Sequence, residues 1–223
     1  MEKDGRTKWS EDELILAFNL YCKTPFGKIH NRNPEIVKLA SVLGRTPSSL
    51  SWKLANFARL DPSLKKRNIS GASHGSKADV EIWNMFNDNW EELIYQSEKL
   101  LKQYSNDTIE TAFDDEELIP SVGLEKERYV KTRVNQRLFR YMILASYDYT
   151  CAITGINTPD LLNASHIIPW SKNDKERLNP RNGICLNTLH DRAFDRGFIT
   201  ISEDYQVLIS SKLKRNEYTA PLT

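Results

Sequence analysis

The fold is decided by the stretch ASHIIPW at residues 164–170, followed by NPRNGICL at 179–186 and LHDRAFDRG at 189–197. Each of these segments alone is weak evidence for a function, because a single histidine in a protein is more often structural than catalytic. The order and spacing of His166, Asn182 and His190 are more specific than any one of them. The residues that carry chemistry are therefore expected between Cys151 and Ile201.

Over residues 133–201 the chain resembles the HNH nuclease family, and in particular the branch found in restriction-type endonucleases and anti-phage defence nucleases. The residues that carry the resemblance are Gln136, Phe139–Arg140, Ser165–Trp170, Asn182–Gly183 and His190–Gly197. The resemblance implies a ββα-metal fold, in which a two-stranded antiparallel ribbon and a following helix clasp one divalent metal ion. It places His166 at the end of the first strand, Asn182 before the second strand and His190 on the helix.

Cleavage of a phosphodiester needs an activated water, a neutraliser for the charge that develops at phosphorus, and help for the leaving oxygen. The resemblance implies His166 as the general base, since histidine accepts protons near neutral pH. A divalent metal at His190 (Mg, Mn or Ni) would supply the other two needs as a Lewis acid. Asn182 would lock the loop so that His166 points at the water, and Arg140 or Arg133 would hold a phosphate.

The metal ligands depart from the family pattern at Ser165, where many relatives carry Asp or His. Either phosphate oxygens complete the metal shell, or Asp195 substitutes as a ligand. Asp195 would equally well cap a turn or hold His190 by a hydrogen bond. A further alternative makes His166 itself a ligand, which leaves the base unassigned. The candidate ligands are thus His190, Ser165 and Asp195.

Structural zinc is not expected, although many relatives hold the ribbon with two Cys-x-x-Cys pairs. The corresponding positions are assigned to Cys151 and Thr154, then Leu186 and Leu189. One thiol cannot form a four-ligand zinc site. Cys151 and Cys185 are therefore predicted to be buried packing residues.

The N-terminal region is predicted to be helical. Ser10 and Glu13 form a capping-box signal, and Asn33-Pro34 and Thr46-Pro47 are typical starts of a second and a third helix. These segments resemble Myb/SANT-like modules, whose third helix often enters the major groove of DNA. Lys53 on this helix is therefore a candidate DNA contact. A plain three-helix scaffold or a protein-contact module fits the same residues.

The longest helix signal runs from residue 125 to 147 and carries Arg133, Gln136 and Arg137 next to the candidate nuclease core. A phosphate-facing stripe and a solvated basic face explain these residues equally well. Candidate nucleic-acid contacts are therefore Arg133, Gln136 and Arg137, together with Lys53.

Composition sets broad limits on the function. The chain has 39% hydrophobic and 27% charged residues, a net charge of +1 and three cysteines. No apolar run approaches the ~20 residues that span a bilayer, and the charged N-terminus does not resemble a secretory signal. Few cysteines suit a reducing compartment. A cytoplasmic protein that does not contact membranes is expected.

We therefore expect an α+β protein. A helical, helix-turn-helix-like candidate DNA-binding module would occupy residues 1–69, a helix and an acidic linker 70–124, and the nuclease domain 125–223. The nuclease domain would include an extra hairpin after residue 197, packed against its core.

The expected function is metal-dependent cleavage of DNA in restriction or anti-phage defence, with a homodimer where both strands are cut. One alternative is a catalytically decayed module that binds DNA or protein. Another is an RNase or homing-type nuclease with the same catalytic ribbon.

Overall fold

The computed structural model describes residues 7–105, 124–173 and 176–213, without the side chains of residues 105, 124–131 and 133. Most of the predicted acidic linker and the side chain of Arg133 therefore lie outside the described residues. Within the described residues the fold is α+β, as expected. None of the helices found there is long and apolar enough to cross a membrane.

Seven helices come first along the described part of the chain, and short sequence signals set where the early ones begin. The Ser10 hydroxyl accepts from the backbone N–H of Glu13, and the Glu13 carboxylate accepts from that of Ser10, which confirms the capping box. Gly44 ends the second helix in the left-handed conformation, at φ 63°. The helices are α1 (Glu11–Lys23), α2 (Pro34–Leu43), α3 (Pro47–Ala58), α4 (Pro62–Lys66), α5 (Lys77–Phe86), α6 (Trp90–Ser105) and α7 (Leu124–Ser146).

A first hydrophobic core forms around α1. The ring of Phe18 is fully buried, with its centroid 5.0 Å from that of Phe57 on α3 and 5.5 Å from that of Trp83 on α5. Leu93 and Leu100 of α6 belong to the same core. Helices α5 and α6, which the sequence placed in a segment of their own, thus pack against the N-terminal helices, and Ile94 of α6 also belongs to a second core.

Two buried ion pairs tie this helical unit together. Arg45 pairs with Glu13 at 2.7 Å, and Lys53 pairs with Asp79 at 2.7 Å. The Lys53 side chain is only 8% exposed, and its charge is already neutralised inside the protein. The prediction that Lys53 contacts DNA is therefore wrong, because the ammonium points into the core between α3 and α5.

The C-terminal part contains two short antiparallel strand pairs. Strand β1 (Leu162–His166) pairs with β2 (Gly183–Asn187), with His166 opposite Gly183. Helix α8 (Thr188–Asp195) follows β2 directly. The order strand, strand, helix matches the expected ββα arrangement, with His166 at the end of the first strand.

A second hydrophobic core joins α7 to the β1–β2 ribbon. Phe139 and Ile143 of α7 lie against β2, where the chain passes so closely that only glycine fits at position 183. A Cβ atom at Gly183 would lie 2.2 Å from the Cδ1 atom of Ile143 and 2.8 Å from the ring of Phe139. This close approach brings α7 against the end of β1, where His166 lies.

The predicted hairpin is present as β3 (Ile199–Ile201) paired with β4 (Val207–Ile209). Only β3 packs against the second hydrophobic core, since Ile199 is buried and Ile201 contacts that core. The side chains of β4 are exposed, Ile209 to 65%. The expected packing of the whole hairpin therefore holds for its first strand alone.

Candidate active site

His166 is held between two aromatic rings at the end of β1. Its imidazole stacks on the Phe139 ring, with centroids 3.9 Å apart and an angle of 6° between the planes. The Trp170 ring meets it edge-on, at 5.4 Å and 87°. This packing fixes the plane of the imidazole before any substrate arrives.

A backbone hydrogen bond determines which ring nitrogen of His166 carries the proton. The Nε2 atom lies 2.9 Å from the carbonyl oxygen of Arg177. Because a carbonyl oxygen only accepts, Nε2 must donate, and in the neutral imidazole Nδ1 is then the proton acceptor. The structure thus leaves His166 ready to take up a proton at Nδ1.

Asn182 closes the loop that leads away from His166. Its side-chain oxygen accepts from the backbone N–H of Ile168 at 2.7 Å, and its amide donates to the carbonyl oxygens of Ile168 and Glu176 at 3.1 Å each. The asparagine is buried, so these bonds exclude water. This geometry fits the positioning role that the sequence predicts for Asn182, because the same loop carries the carbonyl of Arg177.

Asp191 on α8 is oriented by two polar side chains of β1. The Ser165 hydroxyl donates to one carboxylate oxygen and the Asn163 amide donates to the other at 2.7 Å. Ser165, a candidate metal ligand in the sequence, is buried and acts here as a donor that holds Asp191. An ionised carboxylate still has free lone pairs after two such bonds.

Asp191 and Asp195 line the same open cavity as His166, a space of about 910 Å³. They lie four residues apart on α8 and so occupy one helix face. Partial burial and the negative charge of Asp191 raise the pKa of Asp195, while Arg192 and His166 offset part of this rise. Two carboxylates that repel each other in this way would be relieved by a bound cation.

His190 does not join this cavity. Its Nδ1 atom lies 3.3 Å from the side-chain nitrogen of Asn187, and its backbone N–H donates to the Asn187 side-chain oxygen that caps α8. Asn187 also donates to the Thr154 hydroxyl at 3.1 Å and, from its backbone, to the Cys151 sulfur at 3.3 Å. The histidine predicted to hold the metal therefore belongs to a different cluster.

This second cluster also differs from the zinc-position assignment made from the sequence. Cys151 and Thr154 are contacted by Asn187, which also contacts His190, and not by Leu186 or Leu189. Leu186 is fully buried in the second core, and Leu189 is 75% exposed. Hydrogen bonds centred on Asn187 connect the four positions.

The sulfur of Cys151 is buried but does more than fill space. Burial raises the pKa of the thiol, yet hydrogen bonds from the Thr154 hydroxyl and from backbone N–H groups outweigh it and lower the pKa to about 6. The sequence predicted a buried packing residue and missed this polar surrounding. Cys185 fits that prediction better, because burial raises the pKa of its thiol to about 11.

Of the two α7 arginines whose side chains are described, Arg137 and Arg140, only Arg140 faces the cavity. Arg140 lines the cavity, but its guanidinium donates to the carbonyl oxygens of Leu162 and Pro159, which fixes α7 to the start of β1. Arg137 lies over the ring of Tyr141 and does not line the cavity. Gln136 lines the cavity and is exposed at its edge. Of the described candidates for phosphate contact, Gln136 and Arg140 are the ones placed at the site.

The residues of the candidate site that the sequence did not single out are Asn163, Asp191 and Arg177. Asp191 and Asp195 at i and i+4 were a usable signal, since this spacing puts two carboxylates on one helix face. No sequence signal marks Arg177, because it acts through its backbone carbonyl oxygen.

The strand–strand–helix unit, with a histidine at the end of the first strand and carboxylates on the helix, defines a ββα-type nuclease fold. Residues 151–202 match the family model of the HNH endonucleases, and this part of the chain is an HNH domain. No curated protein and no solved structure matches the chain. An HNH domain supports a nuclease-type function with DNA as substrate, and HNH nucleases generally use a divalent metal.

The cluster around Asn187 gives a first testable prediction. Replacing Thr154 and Asn187 together by cysteine is expected to create a Cys₃His zinc site with Cys151 and His190. We expect one zinc per chain after gel filtration, measured by atomic absorption, and a higher melting temperature with zinc than with chelator.

The T154S/N187S variant serves as the matched control and should hold no zinc. Adding Cys151→Ser to the double-cysteine variant should release the metal. Failure of the double-cysteine variant to retain zinc would contradict the proximity of the four side chains.

Proposed function

We propose that the chain is a metal-dependent endonuclease that hydrolyses phosphodiester bonds in DNA, acting in the cytoplasm in restriction or anti-phage defence. The observation that supports this most is the meeting of His166, Asp191 and Asp195 in one open cavity. The cavity combines a proton acceptor with two carboxylates, as hydrolysis assisted by a metal requires.

The residues of the cavity suit a hard divalent cation. Magnesium and manganese are commonly bound by one or two carboxylates, with water and substrate phosphate oxygens completing the shell. Among the described residues no group of three or more His, Cys, Asp or Glu side chains has metal-binding geometry. Asp191 and Asp195, which line the same cavity as His166, would be the two protein ligands, with water and phosphate oxygens as the others. Burial and, after it, the negative charge of Asp191 raise the pKa of Asp195. A bound cation would relieve the charge repulsion, which supports this assignment. When bound, the metal would supply Lewis acidity toward the phosphate and the leaving oxygen.

The protein's own groups would act as follows. His166 accepts a proton from the attacking water at Nδ1, since its Nε2–H is held by the carbonyl oxygen of Arg177. Asn182 keeps that loop closed, and Asn163 and Ser165 keep the carboxylate of Asp191 directed into the cavity. Gln136 at the cavity edge is positioned to donate to a flanking phosphate.

Metal assignment is tested by comparing Asp191→Ala and Asp195→Ala with His190→Ala. Manganese binding is measured by calorimetry, and nicking of a supercoiled plasmid is measured with magnesium, manganese or nickel. Both aspartate variants should lose metal binding and nicking, while His190→Ala retains metal binding. If only the His190→Ala variant lost manganese binding, His190 and not the aspartates would be the metal ligand.

Substrate and activity are tested on the wild-type protein with matched DNA and RNA duplexes, with and without chelator. The proposal expects cleavage of DNA that chelator abolishes. A folded chain that neither binds metal nor cuts DNA would instead be a catalytically decayed module. A double-strand break would require two sites, which a homodimer would provide.

A further inference from the structure

A second cavity, of about 460 Å³, lies where the two hydrophobic cores meet. One wall is formed by residues of α1, α4 and α5 from the first core. The opposite wall is formed by the C-terminal part of α7 and by the 3-10 turn Pro180–Asn182. A space of this volume is typical of sites for small molecules. It does not overlap with the cavity that His166 lines.

Aromatic side chains make up the inner surface of this cavity. Tyr21 and Trp83 line it with ring centroids 6.2 Å apart, and Trp90 lines it from the start of α6. Both tryptophans are half-buried, so each side chain is partly accessible. Aromatic side chains that line a cavity can stack on planar heteroaromatic rings.

Three cationic side chains also line the cavity. Lys66 and Arg67 come from the end of α4, and Arg181 comes from the 3-10 turn on the opposite wall. All three are exposed, and none forms an ion pair within the described ranges 7–105, 124–173 and 176–213. Arginine on two sides of an opening is well suited to hold a phosphate group.

Two carboxylates also line the cavity, but one of them is fully engaged by the protein. Asp61 accepts from the Tyr21 hydroxyl at 2.7 Å and from the backbone N–H and hydroxyl of Ser63 at 2.8 and 2.7 Å. Asp88 is exposed at the edge. The three cations therefore outnumber the two carboxylates, which favours an anionic ligand.

We propose that this cavity binds a nucleotide, with the base against Trp83 and Trp90 and the phosphate between Arg67 and Arg181. The aromatic interior accounts for the base, and cations on both walls account for the phosphate. The ligand would contact the turn that ends in Asn182, the residue that closes the loop of His166. Binding does not depend on the proposed cleavage activity and is measured without metal.

The test uses the full chain and isothermal calorimetry with AMP, adenosine, inorganic phosphate and a 5′-phosphorylated single-stranded hexanucleotide. AMP should bind at least about tenfold more tightly than adenosine or phosphate. Arg67→Ala and Arg181→Ala should each weaken AMP binding by about tenfold, the effect of losing one charged hydrogen-bonding partner. Arg32→Ala, an exposed arginine outside the cavity, is the matched control and should change nothing.

The hexanucleotide separates a free nucleotide from the end of a strand. Tighter binding of the hexanucleotide than of AMP, with the same loss in Arg67→Ala and Arg181→Ala, assigns the cavity to a strand end. Absence of binding of both probes to the folded wild type overturns the proposal. Equal binding of adenosine and AMP, or an equal loss in Arg32→Ala, overturns it as well. Circular dichroism confirms that each variant is folded.

Discussion

Replacing His166 by alanine is expected to slow DNA cleavage by about a hundredfold to ten-thousandfold, the range that a positioned general base contributes. The substitution removes Nδ1, which the hydrogen bond from Nε2 to the Arg177 carbonyl leaves free to accept a proton. Single-turnover nicking of a supercoiled plasmid with saturating magnesium or manganese measures the effect on the chemical step.

Two controls separate a lost base from a damaged site. His74→Ala changes an exposed histidine outside the cavity and should cut at the wild-type rate. Manganese affinity of His166→Ala, measured by calorimetry, should stay close to that of the wild type. A strong loss of metal affinity would show that His166 is a ligand, and an unchanged cleavage rate would remove it from the mechanism.

Local signals in the sequence predicted the positions of the early helices. Capping contacts of Ser10, Asn33 and Thr46 involve residues two or three positions away, so the sequence itself contains both partners. Interactions of this range do not depend on how the rest of the chain packs. The order β1, β2, α8 was predicted in another way, from the resemblance of the motifs around His166 to the HNH family.

The identity of the candidate metal ligands could not be predicted in the same way. His190 and Asp191 are adjacent on a short helix, and adjacent residues of an α-helix point about 100° apart. Which of them faces β1 depends on how α8 is rotated against the ribbon. In the structure Asn187 caps α8 and contacts His190. Ser165 and Asn163 instead donate hydrogen bonds to the carboxylate of Asp191. A motif fixes the spacing of residues but leaves this rotation undetermined.

Long-range charge pairing accounts for the error at Lys53. Its partner Asp79 lies 26 residues further along the chain, on a different helix. The sequence places Lys53 on a predicted recognition helix, but it does not show that the Asp79 carboxylate on another helix neutralises the lysine charge. The resemblance of α1–α3 to Myb/SANT-like modules remains a prediction, and it has lost the cation that was assigned to contact DNA.

Replacing Arg45 by methionine is expected to lower the free energy of unfolding by about 3–5 kcal/mol, because it leaves a buried charge without a partner. The guanidinium donates to both carboxylate oxygens of Glu13, at 3.1 and 2.7 Å, and to the carbonyl oxygens of Thr7 and Lys8. Neither charged side chain is more than 1% exposed, so water cannot replace these bonds. A loss of this size is a large part of the ~5–15 kcal/mol that holds a typical domain folded. Urea unfolding followed by circular dichroism measures it.

The double variant E13L/R45M tests whether the loss of stability in R45M comes from the buried charge of Glu13 that has lost its ion-pair partner Arg45. Replacing a buried ion pair by apolar side chains of similar size is often neutral or stabilising, whereas breaking it on one side is costly. We therefore expect E13L/R45M to be more stable than R45M, although it carries one more substitution. Lys77→Met, at a pair with Glu81 whose side chains are 93% and 60% exposed, should change stability by less than about 0.5 kcal/mol. If the double variant were less stable than R45M, the interaction would depend on packing and capping more than on charge, because Glu13 also accepts the backbone N–H of Ser10.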